Sequence, residues 1–548
     1  MEHYSDRRFL VSFDSSSIPQ IFSDVLVIGS GVAGLRAALT AAEGGEVLLI
    51  AKGQLEESNT SKAQGGVAVA LGKDDSAAAH TVDTLAAGQG LCDEAIVRAI
   101  TGEAPIRIAE LTQWGAKFDQ EDGHIALTRE GGHSTSRIVH ALGDATGKEV
   151  ADTLIRRVRA VDGIQIMEGT FVLDLLTMPE EGCVGALLYD RTRGPMIVWA
   201  KATVLACGGA GRLFRETTNS PIATGDGVAM AYRAGAVLTD LEFYQFHPTA
   251  LYVAGAARAL ISEAVRGEGG ILRNARGERF MPKYHERAEL APRDTVSRAI
   301  VQEIRETGHT CAYVDVRHIP ADRLVKRFPG IRDLCAQFDI DITREQIPIR
   351  PAAHYQIGGV QVDFEGRTSI PRLFACGEVA CTGLHGANRL GSNSLLEGLV
   401  IGHHAGMAAR ARASSGSREA PHTRFRVRLT AARSDAIDVA DVTDSLRALC
   451  WRSLGIERSR FGLDEVSHML LFWGRYVMAR EFRDRQGWEL QNMLQIASLI
   501  SEVAAMREES RGVHYRTDFT AINDAVWKLH LDVSRDLGVQ QRKLDPTA

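Results

Sequence analysis

The feature that most constrains this chain lies near its start. Phe22 to Ile28 is a short apolar run, Gly29-Ser30-Gly31-Val32-Ala33-Gly34 follows, Leu35 to Ala42 is rich in alanine, and Glu46 to Ile50 is apolar again. This pattern predicts a strand, a glycine turn, a helix and a second strand. In such a unit the first glycine makes the tight turn, the second lets the backbone approach a pyrophosphate, and the third lets helix and strand pack closely. The helix N-terminus adds free N–H groups and the positive end of its dipole. A dinucleotide is the expected ligand, with Gly29, Ser30, Gly31 and Gly34 against it. The bland alternative is a glycine-rich turn that binds nothing, and the flanking elements argue against it. One position departs from the fingerprint: the second strand ends Ile50-Ala51-Lys52, with no acid to hold the ribose hydroxyls. Lys52 or backbone groups are expected there, and this position does not choose FAD over NAD.

Two later segments do choose. Ala202 to Gly209 and Leu373 to Glu378 are apolar runs ending in small residues, the second closing on an acid. They resemble the additional strands of large FAD-binding Rossmann domains, in which a ribityl hydroxyl needs an acceptor such as Glu378. Nucleotide-binding sequence at both ends of so long a span implies an inserted domain. The fold class expected is α/β: a Rossmann-like FAD-binding domain, an inserted α+β capping domain and a C-terminal helical bundle. The divisions expected are a flexible N-terminus (1–21), the FAD-binding domain in two parts (22–245 and 351–412), the capping domain (246–350), a linker (413–421) and the helical domain (422–548).

Composition removes other classes. A chain of 548 residues, 45% apolar, is long enough for two or three packed domains. Its net charge of -6, with signs interspersed, offers no basic stripe for nucleic acid. No run approaches the roughly 18 apolar residues of a membrane span, and Met1 to Gln20 lacks an apolar leader core, so a soluble cytoplasmic protein is expected. The eight cysteines are scattered, without a C-x-x-C pair or zinc spacing, which implies a reducing compartment and no metal.

Thr382 to Gly398 (TGLHGANRLGSNSLLEG) is a turn-rich loop running into an apolar helix. The helix N-terminus would stabilise negative charge on a reduced flavin, and Arg389 can fork onto a carboxylate in the same pocket. This loop resembles that of the succinate dehydrogenase, fumarate reductase and L-aspartate oxidase flavoprotein family. Further motifs carry the same likeness from about Asp24 to Phe519, among them Ser58–Val67 (SNTSKAQGGV), Thr128–Val150, Phe246–Thr249 (FHPT), Ser262–Glu268 (SEAVRGE), Leu290–Asp294 (LAPRD) and Pro351–Tyr355 (PAAHY). The resemblance implies substrate-carboxylate ligands at His247, Ser262, His354 and Arg389. It implies proton transfer by Arg293, with Glu263 as the acid beside it. Ser262 stands where the family usually has threonine, keeping the hydroxyl. Cofactor contacts are implied at Asn59, Thr60, Ser61, Lys62, Ala63, Gln64, Gly65 and Gly66, and at Asp226, Glu378, Ser394 and Leu395. A buried dianion needs donors or cations at both ends, which two histidines and two arginines supply. Arginine is a poor base, and crowding among cations would make its proton easier to lose. Taken singly, each histidine is more often a core residue than a ligand. The constellation changes that balance.

Three features point to the amino-acid-oxidising branch of the family. Asn59 stands where the respiratory enzymes carry the histidine that attaches flavin, so FAD is expected to be noncovalent. Glu130 stands where the oxidases carry an acid, and it would offset desolvation of a substrate ammonium. The C-terminal region is short and helical. The implied reaction is oxidation of L-aspartate to iminoaspartate, with O2 or fumarate as acceptor and quinolinate synthase in de novo NAD biosynthesis as a functional partner. A soluble fumarate reductase or succinate dehydrogenase flavoprotein subunit, with succinate and fumarate as ligands, is the alternative. A non-catalytic flavoprotein is the alternative of another class.

Overall fold

The computed structural model describes residues 7–256, 258–415, 424–429 and 437–544. Gln20–Ile28 and Val47–Ile50 are parallel strands, joined by the fully buried helix Val32–Ala41. The parallel layer runs Leu373–Ala375, the second half of Gly194–Leu205, Gln20–Ile28, Val47–Ile50 and Ile164–Met167. The first half of Gly194–Leu205 also pairs, along its other edge, with an antiparallel meander of Gly182–Asp190 and Thr170–Met178.

A second helix, Asn393–Ser414, lies along the first in the same direction. Its Gly398, Gly402 and Gly406 recur every four residues, so they share one face. A Cβ at these positions would come within 2.6 to 2.7 Å of Val32, Ala33 and Ala37. The missing side chains let the helices pack closely. Both N-termini therefore open on one side of the sheet.

The inserted segment enters through Tyr244–Leu251 and leaves through Ile347–Gln356, which pair antiparallel, Tyr244 opposite Gln356. Ala312–Asp315 and Ile271–Arg273 complete its sheet. Leu251, Ile261, Val265, Val296, Ile300 and Val314 belong to its own core.

Three helices, Val439–Ser453, Arg460–Val477 and Arg485–Met506, follow. The C-terminal region is not helical throughout. Leu529–Ser534 and Gly538–Lys543 form a hairpin, and Val533 pairs with Leu238 of the flavin domain. The flexible N-terminus expected over 1–21 needs correction for residues 7–21. Leu10 and Phe13 are buried with Phe171, Trp199 and Trp488, and Leu10 N–H donates to Asp174 Oδ2 at 2.8 Å. Residues 1–6 and most of the expected linker, 416–421, lie outside the described residues. Among the described residues no helix is long and apolar enough to cross a membrane, and no His/Cys/Asp/Glu group is placed to hold a metal.

Candidate active site

The three fingerprint glycines have separate reasons. Gly29 has φ +119°, and a Cβ there would sit 2.1 Å from the Ala206 carbonyl oxygen. A Cβ on Gly34 would sit 2.0 Å from the Gly29 carbonyl oxygen. Both are packing requirements. A Cβ on Gly31 would meet only Thr60 Oγ1, at 3.5 Å, so the space above it is open. No side chain caps the helix that starts there, although Val32 N–H donates to Thr60 Oγ1 at 3.0 Å. This is the cradle an anionic diphosphate fits.

A cavity of about 830 Å³ runs from this turn to the N-terminus of the second helix. Gly29, Ser30, Gly31, Lys52, Asn59, Thr60, Lys62, Ala63, Gln64, Asp226, Glu378, Ser394 and Leu395 all line it. Ser61, Gly34, Gly65 and Gly66 do not. Ser61 pairs with Ser58, Gly66 packs on Ile138 and Val139, and Gly65 faces Glu130 and Ser392. Lys52 lines the cavity with its ammonium already committed, to Thr224 and Asp226 at 2.6 Å and to Glu489 at 2.7 Å. Three donors have three acceptors, so Lys52 has no free donor for a ribose. Glu378 is half-buried, accepting from Gln356 N–H at 3.0 Å and Asn59 Nδ2 at 3.5 Å. Burial pushes its carboxyl up to about 7. Asn59 is fixed by Asn219 and by Ser220 N–H. Its amide nitrogen is not a nucleophile, so no covalent flavin link forms there.

The other end of the cavity holds buried charge. Arg389 and His354 line it. His247, Ser262, Glu263, Arg293 and Glu130 lie behind that wall, each buried. Arg389 stacks 4.3 Å over the Tyr355 ring and donates to Ser394 Oγ at 2.7 Å. Burial and then Arg293 lower its pKa to about 10. Arg293 begins the helix Arg293–Thr307 and pairs with Glu263 Oε2 at 2.6 Å. Arg266 holds the other Glu263 oxygen at 3.0 Å. Ser262 caps the short turn Glu263–Gly267, accepting from Ala264 N–H.

His247 and His354 lie edge to face, with ring centroids 5.2 Å apart. Burial, then nearby arginines, hold both well below the ordinary imidazole value, so both are neutral. His247 Nδ1 accepts from Thr249 N–H at 3.2 Å, which places the proton on Nε2. That Nε2 is buried and has no partner. Glu130 is its counterpart. Oε2 accepts from Ser392 Oγ at 2.8 Å, whereas Oε1 is buried and unpaired. Burial, and then Glu263, push the Glu130 carboxyl up.

Several residues escape a reading of the sequence. Gln245 is wholly buried, and its Oε1 accepts from Arg293 Nη1 at 3.1 Å and from Arg389 Nε at 3.2 Å. Its Nε2 donates to Asn388 Oδ1 and to the Arg389 carbonyl. Gln245 thereby fixes the two guanidiniums relative to each other. Thr218 orients His354 through Nδ1 at 2.9 Å. The only local signal for Gln245 is a polar residue inside an apolar strand, two positions before His247.

Comparison with known proteins follows the same outline. A family model described as FAD binding domain matches residues 24–395, and one described as fumarate reductase flavoprotein C-term matches residues 485–546. L-aspartate oxidase of Streptomyces coelicolor is 43% identical over 537 residues, covering 94% of this chain and 91% of that protein. L-aspartate oxidase 1 of Ralstonia nicotianae is 44% identical, covering 90% and 95%. Among solved structures, a variant FrdA chain of E. coli quinol fumarate reductase aligns with TM-score 0.89 at 31% identity, over 96% of this chain and 97% of that one. Sdh1 of Mycobacterium smegmatis aligns with TM-score 0.81 at 31% identity, over 96% of each.

Proposed function

Because the chain belongs to the L-aspartate oxidase family, within the wider succinate dehydrogenase and fumarate reductase flavoproteins, we propose that it oxidises L-aspartate to iminoaspartate using noncovalent FAD. The carrying observation is a matched pair of unmet groups: a buried, unpaired donor at His247 Nε2 and a buried, unpaired acceptor at Glu130 Oε1. Arg293 lies within electrostatic reach of both. An unpaired buried polar group costs free energy until a ligand satisfies it. A ligand with carboxylates and an ammonium satisfies both.

In this reading His247, Ser262, His354, Arg389 and Arg293 hold the two carboxylates, and Glu130 receives the ammonium. When bound, FAD accepts the hydride equivalent released from the α-carbon and passes the electrons to O2 or to fumarate. The residues do the rest. Arg389 is held by Gln245, Ser394 and Tyr355, so its fork meets a carboxylate without reorganisation. The Arg293–Glu263 contact provides a route for returning a proton when fumarate is reduced in the same site. Three guanidiniums, of Arg266, Arg293 and Arg389, face the two carboxylates of Glu130 and Glu263. With Glu130 ionised, the surplus of one positive charge matches aspartate. With Glu130 protonated, the surplus of two matches fumarate or succinate.

An imine released to water hydrolyses, so direct transfer to quinolinate synthase, in the cytoplasm, fits the product's chemistry. The test is anaerobic reduction of the bound flavin. L-aspartate is expected to bleach it, D-aspartate is not, and Glu130→Gln is expected to slow the L-aspartate reaction. Fumarate reduction without any L-aspartate-dependent imine or peroxide would overturn the proposal.

A further inference from the structure

Glu130 sits on a loop, Arg129 to Arg137, whose anchorage is unlike that of any other ligand in the pocket. His247 and His354 come from strands and Arg293 from the first turn of a helix, whereas Arg389, on the separate loop before Asn393–Ser414, is held by Gln245, Ser394 and Tyr355. This loop is held by a buried ionic cluster on the helix Ala77–Ala87 and the residues before it. Asp83 Oδ2 accepts from Ser134 N–H and Ser134 Oγ, both at 2.7 Å, and from Arg137 Nη1 at 2.5 Å. Arg137 sets its other face on Asp75, with Nε at 3.0 Å and Nη2 at 2.9 Å. The Arg137 and Asp75 side chains are 0% and 1% exposed, and Asp83 is 12% exposed.

The opposite side of the loop has no slack. A Cβ on Gly131 would stand 2.5 Å from Glu263 Oε1, and a Cβ on Gly267 would stand 2.8 Å from the Arg129 carbonyl oxygen. Inside the loop, His133 N–H donates to the Glu130 carbonyl at 3.3 Å, and His133 Nε2 meets the Gly391 carbonyl at 3.0 Å. Glu130 is thus wedged between the capping segment and the Asp83 cluster. Neither Asp83 nor Arg137 contacts Glu130's carboxylate or the cavity.

We propose that Asp83, with Arg137 and Asp75, is a specificity-determining positioning residue: by fixing this loop it sets the preference for amino over plain dicarboxylates. This rests on the proposed role of Glu130. The carboxylate ligands His247, His354, Arg293 and Arg389 are placed by other elements, and Glu263 is held independently by Arg266 and Arg293. A loop displaced by a fraction of an ångström therefore weakens chiefly the ammonium contact. Fumarate and succinate, which have no ammonium, do not register the change.

The experiment compares kcat/KM for L-aspartate oxidation with kcat/KM for fumarate reduction by a reduced dye, in FAD-loaded Asp83→Asn and Ser134→Ala. Glu130→Gln is measured alongside. Succinate affinity is read from the perturbation of the flavin spectrum. For Asp83→Asn, aspartate kcat/KM is expected to fall roughly ten-fold or more, because small misplacements of a contact group carry large rate effects. Its fumarate reduction and succinate affinity are expected to stay within about two-fold, as for a site whose contacts are intact. Ser134→Ala keeps the Asp83–Arg137 pair, so it folds if Asp83→Asn does not, and it is expected to shift the ratio in the same direction by less. Equal losses on both substrates, or no loss on either, overturn the proposal. If Glu130→Gln itself leaves the aspartate-to-fumarate ratio unchanged, the role of Glu130 has failed. If Glu130→Gln shifts that ratio and the two loop variants do not, the positioning role alone has failed.

Discussion

At the nucleotide end of the cavity the backbone does most of the binding, and at the substrate end buried side-chain charge does it. Gly29, Gly31 and Gly34 shape the first end, and Lys52, the cation closest to the expected ribose position, is already matched by Asp226 and Glu489. At the second end Arg293 and Arg389 converge on a single neutral acceptor, Gln245, and two histidines are kept neutral by burial. The difference follows from the ligands. A diphosphate is satisfied by N–H groups that a glycine turn exposes at no electrostatic cost to the apoprotein. A small dianion has too little surface for that, so the protein must store cations in a dry place and hold them apart until the ligand arrives.

Substitutions separate the two strategies. The largest effect is expected from Gly29→Ala. Its Cβ meets the Ala206 carbonyl at 2.1 Å in a left-handed backbone, so the parallel sheet has to open, and little folded protein is expected by circular dichroism. Gly31→Ala meets no such obstacle, and its expected loss is confined to FAD affinity, measured by flavin fluorescence. If both variants fold equally well, the division of labour among the glycines is wrong.

Next comes Arg389→Leu. Removing one partner from a buried charged site typically costs about 2–5 kcal/mol, so kcat/KM is expected to fall by roughly one and a half to three and a half orders of magnitude for L-aspartate and fumarate alike. FAD affinity should change far less. A loss restricted to one substrate would show that Arg389 does not serve the carboxylate both share.

How much of this contrast could be read in the sequence follows from locality. The glycine turn is specified by residues within one strand-helix-strand unit, and so was legible. The histidines and arginines stand out as candidates because each sits in a long motif shared with a known family. Gln245 does not, since its partners Arg293 and Arg389 lie far along the chain and nothing local distinguishes it from a polar residue with a neighbouring hydroxyl. Lys52 stands beside backbone groups as a candidate for the ribose for the same reason: its neutralising acid, Glu489, comes from the C-terminal helices and is not visible locally. Two misses carried a usable signal. Phe9-Leu10-Val11 with Phe13 is too apolar for a flexible tail, and Leu529-His530-Leu531-Asp532-Val533 alternates with the period of a strand.

Gln245→Glu probes the substrate end more gently. A carboxylate of the same shape would neutralise one of the two guanidiniums it touches, and KM is expected to rise roughly ten-fold for both substrates as the pocket's surplus charge falls. Thermal stability should hold or increase, because two buried cations gain an anion. A variant that is unstable yet kinetically normal would reduce Gln245 to a packing role.

The smallest expected effect concerns Glu378, a carboxylate at the nucleotide end with no ion-pair partner among the described residues. In the cofactor-free protein its carboxyl is pushed from the ordinary 4.5 to about 7 by burial. Between those values the folded state keeps a proton that the unfolded chain has released. The stabilisation linked to that proton is complete below the unfolded value and is lost as pH rises through the folded one. The change is on the order of 3 kcal/mol at most. In a chain of this size that amounts to about a degree or two in Tm between pH 5 and pH 8. Glu378→Gln has no proton to lose and should flatten this part of the profile, measured by scanning calorimetry on apoprotein. An unchanged slope would mean that Glu378 is ionised in the apoprotein, leaving the nucleotide end with a half-buried charge that has no ion-pair partner, unlike the paired Arg293 and Glu263 of the substrate end.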